Sequence, residues 1–337
     1  MGDVRHAVCV LDDEGTIIDE RTITNHRESL RRLAKKYPKA RLALEVGTHS
    51  PWVSRFLRQL GLEVIVANAR KLRVIYLNDR KSDELDAQML AKIARLDPSL
   101  LYPITHGSEQ AQRDLLQIKL RDNLVRQRVA IISSVRGTLK SLGVRLPSPN
   151  TACFAKRART LLGGKHPELL AMVEPSLSVL DVLTLRIREL DGAIERLCEE
   201  RYPQTALLRQ IPGVGPITAL CYVLVIDDPA RFGEPRAVGP YLGLVPRRDQ
   251  SGGCDKKLPI SKAGNAYLRR LLVGSAQYIL GPFGQESDLR TGGLALAERG
   301  GRGAKKKAVV ATARKLSVLM LALWQREADY QPHRKAA

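Results

Sequence analysis

The chain reads as an α/β segment followed by an all-α remainder. Short apolar runs bounded by turn residues fill roughly the first 70 positions, the pattern of strands with a helix between them. After about residue 105 the apolar spacing changes to sevens, the pattern of long helices. The final third carries an excess of basic charge, which marks it off from both.

The first segment opens with two strands. Residues 6–11 (HAVCVL) and 16–24 (TIIDERTIT) flank an Asp-Asp-Glu-Gly turn at 12–15. The runs 41–46 (RLALEV) and 63–67 (EVIVA) follow, with a helical stretch over 50–60 between them. Strand, helix, strand predicts a sheet covered by helices. Ser82 is placed to cap a helix over 83–97, with Leu85, Met89, Ile93 and Leu96 as its apolar stripe. Asp97-Pro98 ends it.

The middle is helical. Ile118, Val125, Ile132 and Leu139 recur every seven residues. Leu180, Leu183, Ile187, Leu190, Ile194 and Leu197 alternate spacings of three and four, an a/d seam. Gly143 and the Pro147/Pro149 segment separate the two stretches. They form either an antiparallel hairpin packed on a core or a seam for self-association. The last region opens with Ile211-Pro-Gly-Val-Gly-Pro216 before an apolar run. It closes with Val309, Ala313, Leu316, Met320 and Leu323 at helical spacing behind Lys305, Lys306 and Lys307.

Charge narrows the partners. The net charge is +20. Residues 201–337 hold 22 basic and 10 acidic residues, so 22 − 10 = +12 falls in this part. That is the electrostatic footprint of a polyanion partner, nucleic acid before membrane. The longest apolar runs, near 219–226 and 316–324, are too short to span a bilayer, and no leader pattern opens the chain. With 44% hydrophobic residues, disorder is excluded. Only 15 aromatics (Trp 2, Tyr 9, Phe 4) argue against a stacking platform for single strands. Five scattered Cys without a CxxC read as reduced thiols of a cytosolic chain.

Several residues have the right type for phosphodiester chemistry. Glu45 ends an apolar strand, where a charge is costly unless it is paired, binds metal or leaves the strand end. Asp83 and Asp86 share a helix face. A strand acid with a helical acid pair suits Mg²⁺, which takes hard oxygen ligands. Acids in a first turn are also ordinary dipole partners. Ser251 lies in Arg247-Arg248-Asp249-Gln250-Ser251-Gly252-Gly253, followed by Lys256-Lys257. On local chemistry alone it is a polar loop residue touching phosphate. The Pro-Gly-Val-Gly turn is similar to a helix-hairpin-helix phosphate clamp, and equally an ordinary turn. Lys262, Arg269, Arg270 and Lys305–Lys307 add phosphate-contact candidates to Arg247, Arg248, Lys256 and Lys257.

In order along the chain, these pieces resemble one family: insertion-sequence transposases with a RuvC-like DEDD N-terminal domain and a C-terminal serine domain, guided by a bridge RNA. Ala43-Leu-Glu-Val-Gly47 is similar to the strand bearing the second acid. Asn68-Ala-Arg-Lys71 and Lys81-Ser-Asp-Glu-Leu-Asp-Ala87 resemble the segment bearing acids three and four. Ile211-Pro-Gly-Val-Gly215, Tyr241-Leu-Gly-Leu-Val-Pro246, Ser251-Gly-Gly253 and Ile260-Ser-Lys-Ala-Gly-Asn265 with Leu268-Arg269 resemble the serine-domain block.

The resemblance implies an RNase H/RuvC-like domain over 1–100, a helical coiled-coil region over 105–203 and a mostly helical serine domain over 204–330. It implies Mg²⁺ at Asp3, Glu45, Asp83 and Asp86, and Ser251 as nucleophile forming a transient phosphoserine ester. It further implies donor and target DNA, a guide RNA, and a homo-oligomer (dimer or tetramer) joined by the 180–197 seam, at the nucleoid. The first acid is out of register: counting back twelve from Asp12 passes Met1, and Asp3 lies about three residues off. Either Asp3 serves, or this copy lacks one metal ligand, or the natural start lies upstream, which we expect because Gly2 falls where a glycine is common in the family. Two other readings stay open, a junction-resolving nuclease that uses only the acids and a nucleic-acid-binding protein that does not cut.

Overall fold

The computed structural model describes residues 1–333 apart from 73–81, 147–149 and 252–253. Lys81, the Pro147/Pro149 segment and the Gly252-Gly253 pair lie outside the described residues, as does the side chain of Lys257. The chain forms two compact units, 1–106 and 107–337.

The first unit is a layered α/β assembly. Strands β1 (Arg5–Leu11) and β2 (Ile17–Thr24) make an antiparallel hairpin. Asp12 fixes its turn by accepting hydrogen bonds from the amides of Glu14 and Thr16, at 3.0 and 2.8 Å. Helix α1 (Arg27–Lys36) leads to β3 (Arg41–Glu45), and α2 (Ser50–Gln59) leads to β4 (Glu63–Ala67). β3 and β4 run parallel, as strands joined through a helix do. Helix α3 (Asp83–Leu96) covers the other face and packs on both β1 and β3.

After its exposed first residue Glu63, β4 is apolar because both its faces are covered. Val64 and Val66 enter a core with Leu30, Val53, Phe56 and Leu57 of α1 and α2. Ile65 and Ala67 enter a second core with Leu90 and Ala94 of α3. Ser82 caps α3 by accepting from the Leu85 amide at 3.2 Å, and the helix stops before Pro98, both as the sequence predicts. The expected stripe is rotated: Leu85 and Leu96 are exposed, Met89 and Ile93 half-buried, and Leu90 and Ala94 buried. Polar staples set that rotation. Arg95 donates to the Asp13 carbonyl at 3.0 and 2.9 Å, and Gln88 donates to Glu20 at 2.7 Å.

The second unit is helical apart from one hairpin. Helices α4 (Glu109–Ser141), α5 (Phe154–Gly163) and α6 (Pro167–Glu200) precede the short α7 (Thr205–Arg209) and α8 (Pro216–Ile226). Then come α9 (Val238–Tyr241), the antiparallel pair β5 (Pro246–Ser251) and β6 (Cys254–Ile260), α10 (Ala266–Leu280), α11 (Asp288–Glu298) and α12 (Ala304–Arg326).

α8 is apolar on every side, and α4, α6, α7 and α10 pack around it. Tyr222 of α8 is fully buried and donates its hydroxyl to the Ser317 carbonyl of α12 at 2.7 Å. The a/d residues Leu180, Ile187 and Ile194 of α6 are buried in the same chain, as are Ile118, Ile132 and Leu139 of α4. α4 and α6 run antiparallel, tied by Arg121 to Asp191 (2.8 Å) and Arg201 to Asp114 (3.0 Å). α4 and α6 thus pair within the chain, while Leu183, Leu190 and Leu197 of the seam stay half-buried. α12 corrects another expectation. At 23 residues it has the length and apolarity of a membrane span, but Ala313, Leu316, Met320 and Leu321 are sealed in the core.

Leu90→Ala is expected to cost about 2–4 kcal/mol of unfolding free energy, and Leu96→Ala less than about 0.5 kcal/mol. Urea titration of the two variants measures this, and equal costs would overturn the observed rotation of α3.

Candidate active-site cleft and basic hairpin

Strand alternation sorts the acids. Leu42 and Leu44 of β3 face α1 and α2, whereas Ala43 faces α3. Glu45, two residues beyond Ala43, therefore points to the α3 layer. α3 begins there with Asp83 and Asp86. Glu45, Asp83 and Asp86 line one cleft of about 660 Å³, joined by Asp12 and Asp13 of the hairpin turn. Asp83 is exposed, and Glu45 and Asp86 are half-buried.

Carboxylate oxygens are the donor class that Mg²⁺ selects. Among the described residues, however, no three His, Cys, Asp or Glu side chains converge to hold an ion. The acids share a wall and do not by themselves complete a metal site. Asp3 does not join them. Its Oδ1 lies 2.9 Å from His49 Nε2, and its side chain is 91% exposed. His49 Nδ1 in turn accepts from Trp52 Nε1 at 3.3 Å.

The cleft also contains residues that sequence reading passed over. His6 lines it and is 5% exposed. Burial pushes its pKa below the usual imidazole value. No spacing or neighbour in the sequence marks His6 as buried. Arg95 lines the cleft as well, and its role depends on a carbonyl 82 positions away.

Ser251 is the last residue of β5, exposed, and in register with Cys254. A strand end, not a loop, carries it. Arg247 and Lys256 are exposed on the same hairpin. Arg248 is held by Asp255 across the strands, with contacts of 2.9 and 2.8 Å that offset part of its charge.

Of the predicted phosphate contacts, Arg269 braces the fold, and Arg270 is ion-paired yet about half exposed. Arg269 donates to the carbonyls of Leu242 and Ala263, at 2.9 and 2.6 Å, and fastens the 262–265 loop on which Lys262 stands exposed. That loop is tight: a Cβ on Gly243 would sit 2.2 Å from the Ala263 amide nitrogen. Arg270 pairs with Asp122 of α4 and lies over the Tyr267 ring, 4.8 Å from its centroid.

Two other places suit phosphate. The Gly213-Val214-Gly215 turn borders an open depression with Arg270, Ser275 and Tyr278. Gly213 has φ +88°, and a Cβ there would meet Tyr278 at 2.8 Å. No side chain caps α8, so its first-turn amides stay available. Lys305, Lys306 and Lys307 are exposed in the first turn of α12, which has no acid. Cations at a helix N-terminus oppose the dipole, and a bound anion relieves that repulsion.

Residues 1–143 match the profile of a transposase DEDD domain, and residues 205–287 match that of the "Transposase IS116/IS110/IS902 family". The chain is 30% identical over 261 residues to the transposase for insertion sequence element IS1111A of Coxiella burnetii, covering 76% of this chain and 70% of that one. It is 28% identical over 261 residues to the transposase for IS1328 of Yersinia enterocolitica, covering 77% and 75%. A pilin gene-inverting protein of Moraxella lacunata is 30% identical over 141 residues, covering 41% and 42%. Fold, acids and basic C-terminal unit thus describe a protein that acts on DNA. The chain belongs to the IS116/IS110/IS902 family of insertion-sequence transposases, whose activity is DNA cleavage and strand transfer.

Replacing Lys305, Lys306 and Lys307 together by Ala is expected to lower the slope of log K against log[salt] for duplex binding by up to about 2.7, at roughly 0.9 per lost phosphate contact. Arg269→Ala is expected to reduce stability and leave that slope unchanged. Fluorescence anisotropy over a salt series measures both slopes.

Proposed function

We propose that this transposase cuts and rejoins DNA through Ser251. The observation that carries the reading is the place of Ser251: exposed at a strand end, on a hairpin with Arg247 and Lys256, inside the segment that matches the family profile. Its Oγ attacks a backbone phosphorus. The Ser–O–P bond forms as the P–O bond to deoxyribose breaks, and the serine proton ends on the leaving hydroxyl. The phosphoserine ester conserves the bond energy needed for rejoining. Arg247 and Lys256 supply positive charge for the phosphorane-like transition state. The turn before α8 and the lysines of α12 hold phosphates farther along the backbone.

For the N-terminal unit we infer a RuvC-like role. A DEDD transposase domain typically uses a divalent metal, and Glu45, Asp83 and Asp86 are the carboxylates that would contribute to holding Mg²⁺. As placed, they need a further group to do so. Sequence choice belongs to a guide RNA in this reading, so the protein's contacts go mainly to backbone, in keeping with the net +12 of residues 201–337. Association into a dimer or tetramer through the 180–197 seam belongs to the same reading, with Leu183, Leu190 and Leu197 half-buried on it.

The non-converging acids favour one second reading, a copy that binds DNA and does not cut it. Ser251→Ala is expected to abolish the covalent protein–DNA adduct seen on denaturing gels and to retain binding within about twofold. Glu45→Gln is expected to prevent cleavage with the same binding. An adduct that persists in Ser251→Ala would remove the serine assignment. Cleavage that persists while Glu45→Gln abolishes it would point to a nuclease using the acids alone.

A further inference from the structure

The chain has four phenylalanines. Phe56, Phe154 and Phe232 are buried, whereas Phe283 is 78% exposed. Pro282 beside it is exposed as well. The fold gains nothing from holding an apolar ring in water.

The segment that carries Phe283 is nevertheless tightly fastened. The Gly284 amide donates to the Gly281 carbonyl at 3.2 Å and closes a turn with Pro282 and Phe283 at its apex. Pro282 fixes its own φ. Gly281 donates to the Tyr278 carbonyl at 3.1 Å, so the turn follows directly on the end of α10. Arg290 of α11 donates to the carbonyls of Ile279 and Gly281 at 2.5 and 2.7 Å. A Cβ on Gly284 would stand 2.0 Å from the Ile279 carbonyl oxygen, so a side chain does not fit there. The ring is thus held out in solvent on a stiff mount.

The same helix end carries the turn that precedes α8. A Cβ on Gly213 would meet Tyr278 at 2.8 Å, the Ser275 carbonyl at 3.3 Å and Ile279 at 3.4 Å. Gly213 and Gly284 therefore both lie against Ile279, one on its side chain and one on its carbonyl. This sets Phe283 beside the depression bordered by Gly213–Gly215, Arg270 and Tyr278. Glu286, the acid nearest to Phe283 in sequence, is engaged by Arg290 Nε at 3.2 Å.

We propose that Phe283 is a wedge that enters a base step of duplex DNA, next to a backbone phosphate held at the turn before α8. The inference rests on the phosphate reading of that turn. Apolar side chains inserted at a step partly unstack the bases and kink the duplex. Between bases the phenyl ring leaves water, which supplies the burial that the fold withholds. The held phosphate sets the register of the step against the ring. The stiff mount lowers the ordering cost of binding. A lone ring suits one kinked step, in contrast to the rows of aromatics that carry single strands.

The test uses the full chain with a short duplex carrying 2-aminopurine, and the same duplex with a mismatch beside that base, where unstacking is cheap. Anisotropy over a salt series gives affinity and slope, and 2-aminopurine brightness reports unstacking. The protein is expected to bind the mismatched duplex at least about fivefold more tightly than the matched one and to brighten its probe. Phe283→Ala is expected to lose the preference and the brightening, and to keep the salt slope and the melting temperature. Phe283→Trp is expected to keep all four. Gly215→Asp puts a carboxylate at the uncapped start of α8, where a Cβ meets nothing within 4 Å. It caps the helix and repels phosphate, so the slope is expected to fall by about 0.9. A preference that survives in Phe283→Ala, or is absent from the unaltered protein, overturns the wedge while the Gly215→Asp slope still reports on the phosphate. A slope unchanged in Gly215→Asp overturns the phosphate reading, and the wedge as placed falls with it. A change in assembly mass between the unaltered protein and Phe283→Ala without DNA also overturns it, because the ring then meets protein.

Discussion

The first unit depends on the docking of α3 across the two halves of its sheet. β1 and β3 share no hydrogen bond, so cross-strand pairing does not hold the hairpin to the parallel pair. α3 does, by packing on both strands and burying Leu90 and Ala94 beneath them. Arg95 and Gln88 fix its rotation through contacts on the hairpin side. That rotation also decides the chemistry. It brings the first turn of α3, with Asp83 and Asp86, to the face where alternation along β3 places Glu45. A 100° error in α3 would separate those carboxylates before it exposed the core.

The second unit rests on a different constraint. α8 is apolar all round, and such a helix is stable only when neighbours cover every side. α4, α6, α7 and α10 provide the cover. Its N-terminus emerges at the Gly213–Gly215 turn, where the missing side-chain cap leaves amides free for an anion. The same burial that fixes α8 thus aims a donor group outward. The basic hairpin is attached more lightly. Both strands of its described portion are largely exposed, and the Arg248–Asp255 pair crosses between them. A hairpin held by its ladder and a few ion pairs can adjust to a nucleic-acid backbone at small energetic cost.

Much of this was legible in the sequence because it is local. Ser82 before Asp83 and Pro98 after Asp97 are short-range signals, and each marked a true end of α3. The a/d pattern of α6 was legible as a buried stripe. Its partner was not, because a heptad seam looks the same whether the facing helix belongs to the same chain or another. The rotation of α3 was hidden for a related reason. Leu96 fits the apolar stripe by spacing, but a guanidinium–carbonyl contact to Asp13 set the angle. Arg269 and Arg270 read as phosphate contacts because arginine chemistry suits carbonyls, carboxylates and phosphates alike. Only the tertiary structure shows which acceptor each one meets.

The incomplete acid wall and the split sheet are one problem seen twice. Glu45 lies at the end of a strand whose inner edge has no neighbour. Residues on a free edge keep more backbone freedom than residues in a paired one, so the direction of Glu45 is set only by β4 and α3. A carboxylate that shares a divalent ion needs its orientation fixed to a fraction of an ångström. Pairing along the inner edge of β3 would supply that rigidity directly. Asp3 stands apart from that wall, exposed and beside His49.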